Sequence, residues 1–146
     1  TWADPAASLV QEALGKIGIK VTIDKLPDPQ MAEAETKKTL PLLLERSYAM
    51  FPSAEYFFRI FMSGESRWNF SSWNNEEVND LLPKARYEAD QAKYDAIAKK
   101  LIGMAADQVP MALLWQPTQD VVMGKDIDGF TTWYHYYVDI RDLERK

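Results

Sequence analysis

Along the first half of the chain the apolar positions change period more than once. In DPAASLVQEALGKIGIKVTID, residues Leu9, Val10, Ala13, Leu14 and Ile17 fall on one stripe of a 3.6-residue repeat, with Asp4 as cap and Pro5 in the first turn. The spacing predicts a helix that buries one face. Gly18 then offers the left-handed C-terminal position, after which Ile19, Val21 and Ile23 alternate with Lys20, Thr22 and Asp24 as a half-buried strand does. The start code recurs in PDPQMAEAETKK, where Asp28 as cap and Pro29 open a short polar helix running to about Lys38. Its charges read as a solvated face. LPLLLERS lacks alternation, as expected of a central strand covered on both faces, with Pro41 held to its edge or start.

The stretch from Arg46 to Gly64, RSYAMFPSAEYFFRIFMSG, then packs six aromatic rings, two Met and a Pro into nineteen positions. Phe57, Phe58 and Phe61 fit helical spacing and read as core. After the turn-forming SSWNN, residues Val78, Leu81, Leu82, Ala85 and Ala89 keep a helical period, which Pro83 should kink or delay. Asp90 restarts it, and Tyr94, Ile97, Ala98, Leu101 and Ala105 carry a long helix to Val109, before Pro110. MALLWQPTQDVVMG reads as two short strands broken at Pro117. DIDGFTTWYHYYVDI reads as a turn at Gly129 followed by aromatic, β-prone residues. Helices alternating with strands predict an α/β fold, a mixed sheet flanked by helices.

Composition narrows the function classes. The 146 residues fit a single domain, and a 47% apolar content is enough for a core. A net charge of −5 without a basic block argues against nucleic acid as a partner. Cysteine is absent, which removes disulfides, thiolate nucleophiles and Cys-based metal sites. No apolar run reaches the ~18 residues that span a bilayer, and TWADPAASLV lacks the regions of a signal peptide, so an exported protein would have lost its leader.

Catalytic constellations are weak. His135, the lone histidine, lies within WYHYY and reads as a packing or surface residue rather than a triad member. The carboxylate pairs Glu76/Glu77, Glu33/Glu35 and Asp126/Asp128 are explained by helix starts, helix faces and a turn. The six glycines are scattered singly, which leaves no phosphate-binding loop or dinucleotide fingerprint. No metal or other cofactor is implied. The unusual feature is aromatic: Trp68, Phe70 and Trp73 in RWNFSSWNN, Trp115 at the end of an apolar strand, and Trp133 to Tyr137. Such groups at strand C-terminal ends would line a ligand cleft.

SLVQEALGKIGIKVTI, YFFRIFMSGESRWNFSSWNNEEVNDLLPKAR, DQVPMALLW and KDIDGF, in this order over nearly the whole chain, resemble the extracytoplasmic solute-binding proteins of ABC importers in the oligopeptide, dipeptide and nickel class. The resemblance implies a periplasmic-binding-protein type II lobe. It makes residues 1–146 a single C-terminal ligand-binding lobe, a fragment of a larger two-lobe protein. It also implies a periplasmic or other extracytoplasmic location, an ABC permease as partner and membrane contact only through that permease.

In that class the segment after LPLLLERS enters the cleft. Glu45 and Arg46 would each present a charge there, and Tyr48, Phe51, Trp68, Asn69, Trp115 and Gln116 would form walls. Ser53 aligns with an aspartate that in peptide-binding members looks like the anchor for a peptide's amino group. The charged anchor is missing here, which favours an amphipathic organic acid or another apolar solute over free peptides, with Glu45 as a possible substitute anchor. The resemblance thus implies a non-enzymatic solute receptor, capturing a small organic solute or peptide. Two other classes remain open: the sensing domain of a transcription regulator, and a small α/β enzyme, which the single His and absent Cys disfavour.

Overall fold

Helices begin where a short polar side chain can accept the first unpaired N–H groups, and the first two begin differently from the sequence expectation. The computed structural model describes residues 2–47, 50–118, 120–132 and 138–146. They fall into two compact units, Thr1–Ser47 and Tyr48–Lys146.

In the first unit, helix α1 spans Ala3–Lys16 and α2 spans Asp28–Lys37. Asp4 and Asp28 do not cap them: Trp2 and Pro27 hold the cap positions and neither makes a side-chain cap bond. The first four N–H groups of a helix lack intrahelical partners, so Pro is tolerated through the first turn and fixes a start only to within a residue or two. Asp4 instead pairs with Lys25, 2.8 Å from Nζ. Gly18 does take the left-handed conformation, with φ of 84°.

The segment after Gly18 keeps its alternation without becoming a strand. Val21 and Ile23 are half-buried and Thr22 and Asp24 exposed, yet no ladder forms. The segment is tied to α1 by Gln11, whose Nε2 donates to the Val21 carbonyl at 2.8 Å. LPLLLERS likewise forms no strand, and Leu42 is 62% exposed rather than covered. A strand is stable only with a paired neighbour, and none is supplied among the described residues of this unit. The stripe on α1 is correspondingly open: Leu9 and Ile17 are exposed, and Ala6 is the buried residue of the helix.

The second unit holds the core. Helix α3 (Ala54–Phe61), α4 (Glu76–Arg86) and α5 (Gln91–Gln108) pack against one another. Each carries a side-chain cap: Ser53 accepts from Tyr56 N–H, Asn75 from Val78 N–H and Asp90 from Lys93 N–H. Phe58, Phe61, Met62, Val78, Leu82 and Leu101 form the buried cluster, with Phe57, Ile97 and Trp73 packed on it. The helical spacing of these residues is what the sequence predicts. Pro83 lies exposed inside α4, which starts at Glu76 with no delay, because the Asn75 cap and the burial of Val78, Leu82 and Ala85 fix the helix on both sides of it. Val109 ends α5 in the left-handed region, φ 47°, a strained geometry for a β-branched residue, with its N–H on the Ala105 carbonyl, and Pro110 disfavours continuing the helix.

Beyond α5, MALLWQPTQDVVMG forms no strand among its described residues. The C-terminal part folds into two antiparallel ribbons. β1 (Ile127–Asp128) pairs with β4 (Glu144–Arg145), and β2 (Thr131–Thr132) pairs with β3 (Val138–Asp139). Gly129 turns the chain at φ 77°, where a Cβ would run into the Asp142 carbonyl. The fold is therefore mixed α/β, but the expected mixed sheet flanked by helices is replaced, among the described residues, by two ribbons of two strands each.

Leu101 has no exposed surface and sits in the α3–α5 cluster. Leu101→Ala should destabilise the second unit by about 3 kcal/mol, read as a lower urea midpoint at unchanged slope.

Candidate functional site

The surface that the sequence points to begins on either side of α3. At its start, the Phe51 ring meets the Tyr56 ring edge-on at 5.1 Å. The Ser53 hydroxyl accepts from Tyr56 N–H at 3.2 Å and lies 2.9 Å from the Tyr94 hydroxyl, which also accepts from Glu55 N–H. Ser53 is thus occupied in fastening α3 to α5. One turn on, the largely buried Glu55 pairs with Arg59 Nε at 2.7 Å.

At the other end of α3, residues 63–75 form a loop built around Asn69. Its side chain is fully buried. Nδ2 donates to the Ser63 carbonyl at 2.9 Å and the Trp73 carbonyl at 2.7 Å, while Oδ1 accepts from Ser71 Oγ at 2.9 Å. The backbone closes the same turns, with Asn69 N–H on the Ser66 carbonyl and Ser72 N–H on the Asn69 carbonyl, both at 3.1 Å. Ser66 Oγ donates to the Ile60 carbonyl, joining the loop to α3. On the other side, Trp73 Nε1 and Asn75 Nδ2 both donate to Gln108 Oε1, at 2.9 and 3.3 Å, joining it to the end of α5.

The loop displays three side chains in contact. Trp68, 42% exposed, meets Phe70 edge-to-face at 6.0 Å, and the Arg67 guanidinium lies over the Trp68 ring at 4.4 Å. Arg67 was not among the residues singled out from the sequence. The signal was available, since an Arg beside a Trp in a turn-rich segment can stack on it, but stacking depends on the loop geometry that Asn69 sets.

The other expected site residues are dispersed. Ser53 and Trp68 lie off opposite ends of α3, an eight-residue helix roughly 12 Å long. Trp115 and Gln116 lie exposed in the irregular segment after Pro110. Glu45 and Arg46 belong to the first unit and face solvent. Partial desolvation pushes the Glu45 carboxyl above its ordinary range, opposed by a backbone hydrogen bond from Arg46 and reinforced by Glu35. Tyr48 lies outside the described residues, as does the group Trp133 to Tyr137 with His135.

Two concavities stand out among the described residues. A groove of about 610 Å³ runs between the segment 121–124 and the first ribbon, lined by Val121, Val122, Met123, Ile127, Phe130 and Leu143. A more polar recess of about 490 Å³ lies between α3 and α4, with Glu55, Arg59, Asn79 and Arg86 on its walls. Among the described residues there is no cluster of three or more His, Cys, Asp or Glu side chains fit to hold a metal ion, and no helix is long and apolar enough to cross a membrane.

No protein-family profile matches the chain. It is similar to a curated protein of Escherichia coli (strain K12), the probable D,D-dipeptide-binding periplasmic protein DdpA, at 24% identity over 130 residues. That alignment takes in 87% of this chain and 25% of the relative, so the chain spans about a quarter of the relative's length. The name of that relative describes a periplasmic protein that binds D,D-dipeptides.

The buried Asn69 amide gives the site its clearest stability test. Asn69→Ala leaves the Ser63 and Trp73 carbonyls without their donor, and should cost about 1–3 kcal/mol while releasing Trp68 and Trp73, read as a lower melting temperature with a red-shifted tryptophan emission.

Proposed function

We propose that this chain is a ligand-binding lobe of an extracytoplasmic solute-binding protein, the C-terminal type II lobe of a larger two-lobe receptor that serves an ABC importer. The observation that carries the reading is the similarity over 87% of the chain to a periplasmic protein named as D,D-dipeptide-binding. The loop 63–75 supports it, because aromatic side chains held on a rigid, hydrogen-bonded loop are the equipment of a preformed ligand surface.

The mechanism is differential binding. A solute that contacts two lobes favours the closed arrangement by as much as it binds that arrangement better, and closure commits it for delivery to the permease. The groups offered by the second unit are the Trp68, Phe70 and Arg67 cluster, Phe51, Trp115 and Gln116; the first unit, taken by itself, offers Glu45 and Arg46. Asn69 acts by holding the loop. Ser53 contributes to the start of α3 and has only a neutral hydroxyl where an ammonium would need a carboxylate. A buried ammonium left without its partner typically costs ~3–5 kcal/mol, which disfavours free peptides. The favoured solute is therefore an amphipathic organic acid or another apolar solute, with Glu45 as the substitute anchor a free peptide would need.

Thermal-shift measurements on the whole protein containing this chain test the reading, with free dipeptides and tripeptides, their N-acetylated forms, and aromatic and aliphatic acids as probes. A bound solute at a hundredfold over its dissociation constant stabilises by about 2.7 kcal/mol, and this effect is expected from acids and N-acetylated peptides. Stabilisation by the free peptides alone, lost on acetylation and unchanged in Glu45→Gln, would contradict the assigned selectivity. Absence of stabilisation by every probe would count against the receptor reading itself.

A further inference from the structure

We infer that Arg67 is the carboxylate-recognising residue of this site, with Trp68 and Phe70 receiving the apolar part of the same solute; the inference rests on the solute-receptor reading and gives one of its groups a specific role. Arg67 is exposed and, like Arg46 and Arg86, has no carboxylate partner among the described residues, whereas Arg59, Arg141 and Arg145 are each paired with an acid; Arg67 alone of the three lies beside the Trp68 and Phe70 rings. Its guanidinium carbon lies 4.4 Å from the centre of the Trp68 ring. That contact restrains the side chain while its exposed N–H groups can bind a carboxylate through two parallel hydrogen bonds.

The surrounding loop makes the arrangement a fixed one. Trp68 N–H donates to Ser66 Oγ at 3.3 Å, Phe70 N–H donates to the Trp68 carbonyl at 3.0 Å, and the buried Asn69 between them is bonded in three directions. Arg67, Trp68 and Phe70 are therefore held from a common anchor rather than as independent surface side chains. A solute with one carboxylate beside an aromatic or branched apolar group meets both chemistries at once. One guanidinium in a chain of net charge −5 suits a monoanion better than a phosphate dianion.

The test uses the whole protein containing this chain, labelled with nitrogen-15, and follows the Arg67 Nε–Hε and Trp68 indole N–H signals by NMR. The probes are 3-phenylpropionate, its uncharged amide 3-phenylpropanamide, and acetate, each titrated to about 20 mM, a range suited to millimolar affinities. The expected result is a saturable shift of both signals by 3-phenylpropionate, with the amide and acetate each about tenfold weaker, a difference of about 1.4 kcal/mol. In Arg67→Gln, an exposed substitution that leaves the core untouched, acid and amide should become equal. Equal binding of acid and amide by the unaltered chain, persistence of the discrimination in Arg67→Gln, or no saturable shift with any probe would each overturn the assignment. If Arg67→Gln is silent while the whole protein is still stabilised by organic acids, the receptor reading stands and Arg67 alone is wrong.

Discussion

The Asn69 carboxamide joins three points of one loop from a position with no exposed surface, and the geometry of every candidate ligand group on residues 63–75 follows from it. An amide buried in this way must find partners for both its N–H donors and its oxygen, because each unmet group would keep its full desolvation cost. Ser63, Trp73 and Ser71 supply them. Meeting that requirement forces the chain through Arg67, Trp68 and Phe70 on the outside of the turn. The apolar cluster of α3, α4 and α5 provides the platform, gripping the loop at Ile60 and Gln108.

The helical half of this account was legible in the sequence because its signals are local. Val78, Leu82, Ala85 and Leu101 recur at 3.6-residue spacing and are the residues that are buried. Asp90 is a cap in both the sequence and the structure. Asp4 and Asp28 are not, because proline in a first turn is compatible with more than one start. The strands were legible as pattern but not as structure: Val21 and Ile23 keep the alternating burial of a strand, while ladder pairing depends on a neighbour that no local window contains. Gly129 shows the opposite case, a turn written in one residue whose missing side chain is what lets Asp142 approach.

The candidate site divides along the same line. Aromatic clustering drew attention to Trp68 and Asn69, but sequence alone gives a buried amide and an exposed indole equal weight. Burial separates them into an anchor and a displayed ring. Arg67 escaped notice because a charged residue in a polar loop ordinarily reads as solvated, and only its placement over the Trp68 ring marks it otherwise. Ser53 also changes meaning. Its hydroxyl joins the start of α3 to Tyr94, forty-one residues away, a partnership invisible to local reading.

The central claim is that the loop is preformed, so that its aromatic and cationic groups are ordered before any solute arrives. Nitrogen-15 relaxation of the backbone amides of Ser66, Asn69 and Ser72 in the ligand-free chain tests it most directly. Order parameters near 0.85, equal to those of α3 and α5, are the predicted result; values below about 0.6 would contradict it.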